Sequence, residues 1–438
     1  LDTKNPSLIF QNYTPTIADT GKIDIPKMVE VKQRFPDEQV ANVSQSVLDE
    51  LAKFSSLDLK GKRIAVTAGS RGINGMVESL QAIVSQLFAW GAEPFLVPAM
   101  GSHGGATAEG QVAVLKSLGI TEATIGAPIC SSMEVVELGR IQGDTPVCCD
   151  RLAFESDGII VCNRIKAHTS FAGDYESGLL KMMAIGLGKH VSTAGLHRLG
   201  FNQFHKVIPE AGALILEKAP ILFGVGIVEN AYNQVARIEA IPPDSFFERE
   251  KELLSYAKSI MGRLLVSDMD ILVVDELGKD VSGAGLDPNV IGRSGSGLIR
   301  SSDPKIGSII VRDLSKKTDG NSLGMGMADL MCKRAADKIV LSSVYTNAIT
   351  AGIFLGAKLP VVATSDYDAM VLAILASMGS PKEEKRIVHI KNTKVLDTIW
   401  LSSAFLKEIE NRDDLHIQGV ARSYEFDDTG NMLWPTVR

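Results

Sequence analysis

No two of the five cysteines, Cys130, Cys148, Cys149, Cys162 and Cys332, form a CxxC pair, and their odd number gives no disulfide framework. That usage points to a reducing compartment, and the cytoplasm is the expected location. The opening residues, LDTKNPSLIFQNYTPT, lack a charged start followed by an apolar run, so no secretory leader is expected. No apolar run reaches the roughly 18 residues a membrane span needs. The nearest approach, AITAGIFLGAKLPVVAT, is broken by Lys358 and Pro360. There is no long basic block, and the net charge is −7, which argues against nucleic acid as a partner. An HExxH ligand pair is absent, which disfavours a zinc hydrolase. So is a GxGxxG turn after the first strand-like run of the βα pattern: TAGSRGING has the wrong spacing, and GVGIVEN and GMGMAD fit poorly. An ordinary dinucleotide dehydrogenase is therefore disfavoured too.

What remains is a chain of 438 residues, 45% apolar and 22% charged, the profile of a soluble globular protein of two or three domains. From residue 60 short β-rich runs alternate with helical ones. KRIAVTAGS reads as a buried strand and turn, GMVESLQAIVSQLFAWG as a helix stopped at Gly91, EPFLVPAMGS as the next strand, and DGIIVCNRIKAH as another. This rhythm predicts an α/β fold: two α/β domains with mostly parallel sheets and a cofactor or substrate cleft between them. The expected domains are 1–265, catalytic and cofactor-binding, and 266–438, a second α/β domain. The charged helix PDSFFEREKELLSYAKSIMG is expected to bridge them, and the tail VARSYEFDDTGNMLWP to form a closing hairpin that returns to the first domain.

In parallel sheets ligands bind outside the carboxyl ends of the strands. Three polar clusters fall at such ends: Ser70 with Arg71, Ser102 with His103, and Lys166 to His168. Close by, Lys181 stands inside the apolar run Leu179-Leu180-Lys181-Met182-Met183, and four of the seven histidines lie between positions 168 and 205. Apolar surroundings disfavour the charged amine and make a lysine nucleophilic. The ordinary alternative is a lysine snorkelling from a helix edge. Histidine suits acid–base work near neutral pH and metal binding. Arg71 can clamp a carboxylate through its fork. His103 lies in the small-residue loop GSHGG, which leaves room for a ligand.

These residues resemble the nickel-dependent lactate racemases and related 2-hydroxyacid racemases and epimerases. TAGSRG is similar to that family's substrate-arginine turn, and GSHGGATAEG to its Gly-Thr-His-Arg loop. HTSFAGDYESGLLK is similar to its His…Ala-Gly…Ser-Gly-Gly-x-Lys motif, and the 16-residue step from Lys181 to His197 matches its lysine-to-metal-histidine spacing. The likeness runs over roughly residues 10–260. It implies a nickel pincer nucleotide, the pyridinium-3,5-bisthiocarboxylic acid mononucleotide carrying nickel, loaded by cofactor biosynthesis proteins. It implies Lys181 as the tether, Ser177 and Gly178 beside it in the cofactor motif, and His197 as the nickel ligand. His103 and His168 are then the acid–base pair, with Arg71 and Ser70 on the substrate.

The chain departs from the family at Ala68, where an acidic residue is usual, at Gly104 in place of an arginine, and at Leu179 in place of the second glycine. The His-to-Lys segment is about three residues longer, at TSF and DYE. These changes imply a 2-hydroxy acid other than lactate, with Asp174 and Tyr175 as further candidate pocket changes beside Ser70. Lys189 and His190 are the alternative pair for the roles of Lys181 and His197. His205 is read as supporting or structural, and His389 and His416 as surface or core. In ELGKDVSGAGLDPNVIGRSGSG, Lys279, with Asp280 and Asn289, is a candidate to close over the cofactor, an ordered structural loop being the alternative. Ser365 is read as a helix cap. Two other functions stay open: a metal-free Schiff-base lyase using Lys181, and a non-catalytic hydroxy-acid or sugar-acid binder. Oligomeric state is not legible.

Overall fold

The computed structural model describes residues 23–299, 303–378 and 381–435; the opening stretch examined for a leader lies outside them. The chain divides into two compact units, Pro36–Met261 and a discontinuous one made of the residues up to Phe35 together with Gly262–Arg438. The division departs from the expected 1–265 domain at its start. Strand β1 (Met28–Gln33) pairs antiparallel with Thr398–Ser402 on one side and Leu415–Arg422 on the other. Its Met28, Val29 and Val31 are buried there, so apolar burial draws the N-terminal strand into the second unit's sheet.

Within residues 36–261 the strands are β2 (Arg63–Ala68), β3 (Glu93–Pro98), β4 (Val135–Ile141), β5 (Thr145–Asp150), β6 (Gly158–Arg164), β7 (Ile221–Glu229) and β8 (Val235–Ile241). Five form one sheet in the order β3-β2-β6-β7-β8, parallel except for β8 at its edge; β4 and β5 form a separate antiparallel pair. Alternate residues of a strand supply opposite faces. Accordingly Ile159 and Val161 join one buried cluster while Ile160 and Cys162 join another. Both faces are covered, which is why these strands read as continuous apolar runs. Helix α1 (Met76–Ala89) buries Met76, Leu80, Ile83 and Leu87, spaced to fall on one face, and Gly91 follows its end with φ +78°. Helices α2 (Ala108–Ser117), α3 (Lys189–Arg198), α4 (Phe204–Lys218) and α5 (Phe246–Ile260) complete the part of the unit that bears on function.

The second unit holds β9 (Met269–Leu277), β10 (Ile306–Leu314), β11 (Leu330–Cys332), β12 (Val361–Ala363), β13 (Ile387–Ile390), β14 (Thr398–Ser402) and β15 (Leu415–Arg422). Its eight-stranded sheet runs β12-β11-β10-β9-β13-β14-β1-β15, with β9 to β13 parallel. The tail forms the expected hairpin, Glu425–Phe426 with Met432–Trp434, and belongs to this unit. Asp366 accepts from the amide of Met432 at 2.7 Å, and Tyr424 and Met432 enter a core with Trp400. Ser365 caps helix Asp366–Ala376 by accepting from the amide of Asp368. His389 is fully buried and bonds Asp275 at 2.7 Å. Among the described residues no helix is long and apolar enough to cross a membrane, and all five cysteines are free.

Candidate functional site

Three neighbouring parallel strands, β3, β2 and β6, deliver the three polar clusters at their carboxyl ends. Beyond β2 come Ser70 and Arg71; beyond β3 comes His103; beyond β6 come Lys166 and His168. Ser70 Oγ lies 2.6 Å from His103 Nδ1, joining the first two loops. The His103 loop needs its glycines: Gly104 and Gly105 each have φ +67°, and a Cβ on Gly104 would lie 2.5 Å from the backbone of Gly110. An arginine at 104, as the family pattern expects, has no room in this loop.

The loop is held from behind by Lys189. Its ammonium donates to the Pro98 carbonyl at 2.5 Å and to Gln111 Oε1 at 3.0 Å, and stands 3.0 Å from Asp150 Oδ2, with both charged side chains fully buried. Gln111 in turn donates to the carbonyl of Gly101. Lys189 is thus committed to structure, and His190 is exposed to solvent. The structure gives this pair no place in the site that Lys181 and His197 enter.

After β6 the chain turns through 168–178 into a short helix, Leu179–Lys181, which widens at once into a π-helical turn, Met182–Leu187. Such wide turns recur at functional positions. The backbone of Lys166 bridges that of Ser177, and Asn163 donates to the Gly178 carbonyl at 2.9 Å, closing the loop. Ser177 and Gly178 therefore fix the course of the segment. Leu179 and Leu180 are buried in the core; Leu179 fills space that a side chain at Gly224 would occupy. The leucine that replaces the family's glycine is thus accommodated by a glycine on β7.

The electrostatics gather these residues into one site. Burial of its amine, aided by the charges of Arg71 and Lys166, pushes the pKa of Lys181 down to about 7, with Glu176 acting the other way. An amine with a pKa of about 7 is about half neutral at pH 7. Desolvation, then the charges of Lys181, Lys166, Arg71 and His197, hold His168 well below the ordinary imidazole range. Desolvation and the neighbouring Arg164 lower Arg71, although the residue keeps exposed surface; a guanidinium stays charged at neutral pH. His168 lies 4.5 Å from Phe171 between ring centres, and His197 lies 5.3 Å from both Phe201 and Phe204, so apolar rings wall the imidazoles.

Four of the expected residues, Arg71, His168, Lys181 and His197, share this site, and Ser70 and His103 adjoin it through Arg71 and the Ser70–His103 bond. Lys279 lies in the second unit, where its ammonium donates to the Gly283 carbonyl and its amide to Thr318. There Asp280 accepts from Ser315, and Asn289 bonds Asp287. Asp174 and Tyr175 face α5: Asp174 pairs with Lys251 at 2.7 Å and Tyr175 meets the Phe247 ring edge-on. His205 is exposed on α4. Sequence reasoning noted Lys166 as part of a cluster but gave it no role, and it missed Glu176, Glu250 and Lys258. Glu176 is 2% exposed, accepts from the amides of His168 (2.6 Å) and Gly173 (3.1 Å), and pairs with Lys258 at 2.6 Å. A carboxylate eight residues past a candidate histidine carries no signal in sequence for that role.

Among the described residues no group of three His, Cys, Asp or Glu side chains stands together to hold a metal. The residues fit a tethered, phosphate-bearing organic group: a partly neutral amine at Lys181, a cation at Lys166, and one imidazole at His197.

Residues 25–207 match the lactate racemase N-terminal domain family. The match begins ahead of β1 and ends within α4, so it takes in all six expected residues of the site. No protein of curated function matches the chain. Among solved structures, the lactate racemase apoprotein from Thermoanaerobacterium thermosaccharolyticum superposes with a TM-score of 0.50 at 12% identity, covering 84% of this chain and 99% of that one. A protein from Thermotoga maritima of known crystal structure gives 0.48 at 16% identity, covering 74% and 84%. The first of these likenesses supports the fold, and the family match makes residues 25–207 similar to the lactate racemase N-terminal domain.

Proposed function

We propose that this protein is an isomerase that racemises or epimerises a 2-hydroxy acid other than lactate, using a nickel pincer nucleotide tethered to Lys181, with His197 on the nickel. When bound, that cofactor supplies a hydride acceptor and donor for the substrate's carbon. The chain's own residues do the rest. Arg71 clamps the substrate carboxylate through two parallel N–H bonds, and Ser70 orients His103 by its 2.6 Å bond. Removing hydride from a hydroxylated carbon is easier when a base takes the hydroxyl proton, and the two enantiomers present that hydroxyl to opposite sides. His103 and His168, on separate loops, are the two groups that exchange it. The phenyl rings around His168 and His197 limit water near the reacting carbon. Loading of the cofactor falls to separate biosynthesis proteins.

The observation that carries this reading is the partly neutral amine of Lys181 in one site with His168, His197 and Arg71. The test is conversion of single enantiomers of a panel of 2-hydroxy acids by protein made together with the cofactor biosynthesis proteins. Interconversion is expected, falling ~10²–10⁴-fold in His103→Ala and His168→Ala. Nickel-loaded protein that interconverts none of the panel contradicts the reading. The same neutral amine suits a Schiff-base lyase. Borohydride trapping of a 2-keto acid on Lys181 in metal-free protein, with carbon–carbon cleavage, would favour that reading instead.

A further inference from the structure

Helix α5 lays one stripe against the segment that carries both His168 and Lys181. Phe247, Glu250, Lys251 and Lys258 follow one helical face. Phe247 meets Tyr175, Lys251 pairs with Asp174, and Lys258 pairs with Glu176. Glu250 makes the deepest of these contacts. It is fully buried, and its Oε2 accepts from the amide of Leu180 at 2.9 Å, in the first turn of the lysine's helix. That helix begins at Gly178 without any side-chain cap of its own, and orphan N–H groups at a helix start need an acceptor. A Cβ on Gly178 would lie 2.1 Å from Glu250 Oε1, so the glycine and the incoming carboxyl fit together. Oε1 has no hydrogen-bond partner among the described residues. A carboxyl brought into a dry interior for the N–H groups of Leu180 and Leu179 alone is costly for stability.

We propose that Glu250 is a positioning residue for Lys181: from α5 it pins the first turn of the lysine's helix and so sets how the amine is presented. The proposal rests on the reading of Lys181 as the reactive lysine, and its test needs neither cofactor nor turnover. The full chain is labelled with trace acetic anhydride across a pH series, and acetylation of Lys181 is followed by peptide mass spectrometry against exposed lysines. Wild type is expected to label Lys181 with a midpoint near its pKa of about 7. Glu250→Gln, which keeps an acceptor for Leu180, retains that profile. Glu250→Ala, and Glu250→Asp with its shorter reach, shift the midpoint or lower the rate by about tenfold, equivalent to about one pKa unit. If Glu250→Ala does not fold, the comparison of Gln with Asp decides. Unchanged profiles in folded Ala and Asp variants overturn the proposal, as does a Gln variant that behaves like them. If wild-type Lys181 titrates like a surface lysine, the reading of Lys181 fails first, and the proposal with it.

Discussion

The backbone amide of Ser170 donates to Nδ1 of His168 across 3.0 Å. An amide cannot accept, so Nδ1 holds a lone pair and the neutral ring carries its proton on Nε2. With desolvation and four neighbouring cationic groups disfavouring the imidazolium, the ligand-free protein holds His168 neutral near pH 7. Neutral with Nε2 protonated, the ring is a hydrogen-bond donor, and acting as the proposed base requires Nδ1 to give up the Ser170 bond. Lys181 is the first of the charges that depress it, so the proposed tether, by removing the lysine's charge, and a carboxylate bound at Arg71 would both raise the affinity of His168 for a second proton.

Removing the charge at position 181 should therefore raise the pKa of His168. In Lys181→Met, histidine titration by NMR should place His168 higher than in wild type, yet still below the ordinary value, because desolvation is the larger cause. An unchanged titration would mean that the two residues do not share a site.

Lys181 and Lys189 should part company in stability. Lys189 is buried against Asp150, and its loss strands that carboxylate, a change that typically costs ~3–5 kcal/mol. Chemical denaturation should find Lys189→Ala strongly destabilised and Lys181→Ala close to wild type. Equal losses, or a milder effect at Lys189, would reopen the exchange of roles between the two lysines.

Glu250 gives a pH signature to stability. Burial, opposed by the amides of Leu180 and Leu179, pushes its pKa from 4.5 up to about 7. Between those values the folded protein binds the proton that the unfolded chain has released, so this group's contribution falls as pH rises from about 4.5 to about 7. Lys181 acts in a different window: its folded pKa of about 7 lies below the ordinary 10.5, so its contribution rises with pH between them. Urea midpoints measured at pH 5 and pH 7 should converge in Glu250→Gln relative to wild type. An equal pH dependence in both proteins would place the titrating group elsewhere.

Much of this site is legible in the sequence. The apolar runs KRIAV and GIIVC read as buried strands, and the polar residues after them fall together because parallel strands end on one side. Lys181 stood out because a charge among Leu179, Leu180, Met182 and Met183 has few harmless explanations. What stayed hidden was long-range. Nothing in VEVKQ says that β1 pairs some 370 residues away with β14. Glu250 and Lys258 read as surface charges of an amphipathic helix, and only the fold turns that face toward residues 173–180. Lys189 looked like a second candidate lysine until Asp150, Gln111 and Pro98 were seen to satisfy it. At Gly104 the departure from the family pattern looked like a change of specificity, whereas the backbone there leaves no space for a side chain.

The proposed function stands or falls with Lys181 as the bearer of the cofactor. The direct measurement is the intact mass and nickel content of the protein made alongside the pincer-cofactor biosynthesis enzymes, for wild type and Lys181→Ala. A covalent adduct on wild type with about one nickel per chain, as one tethered group requires, and its loss in the variant are the predicted result. Wild type with neither adduct nor nickel, under conditions that load a known relative, would contradict it.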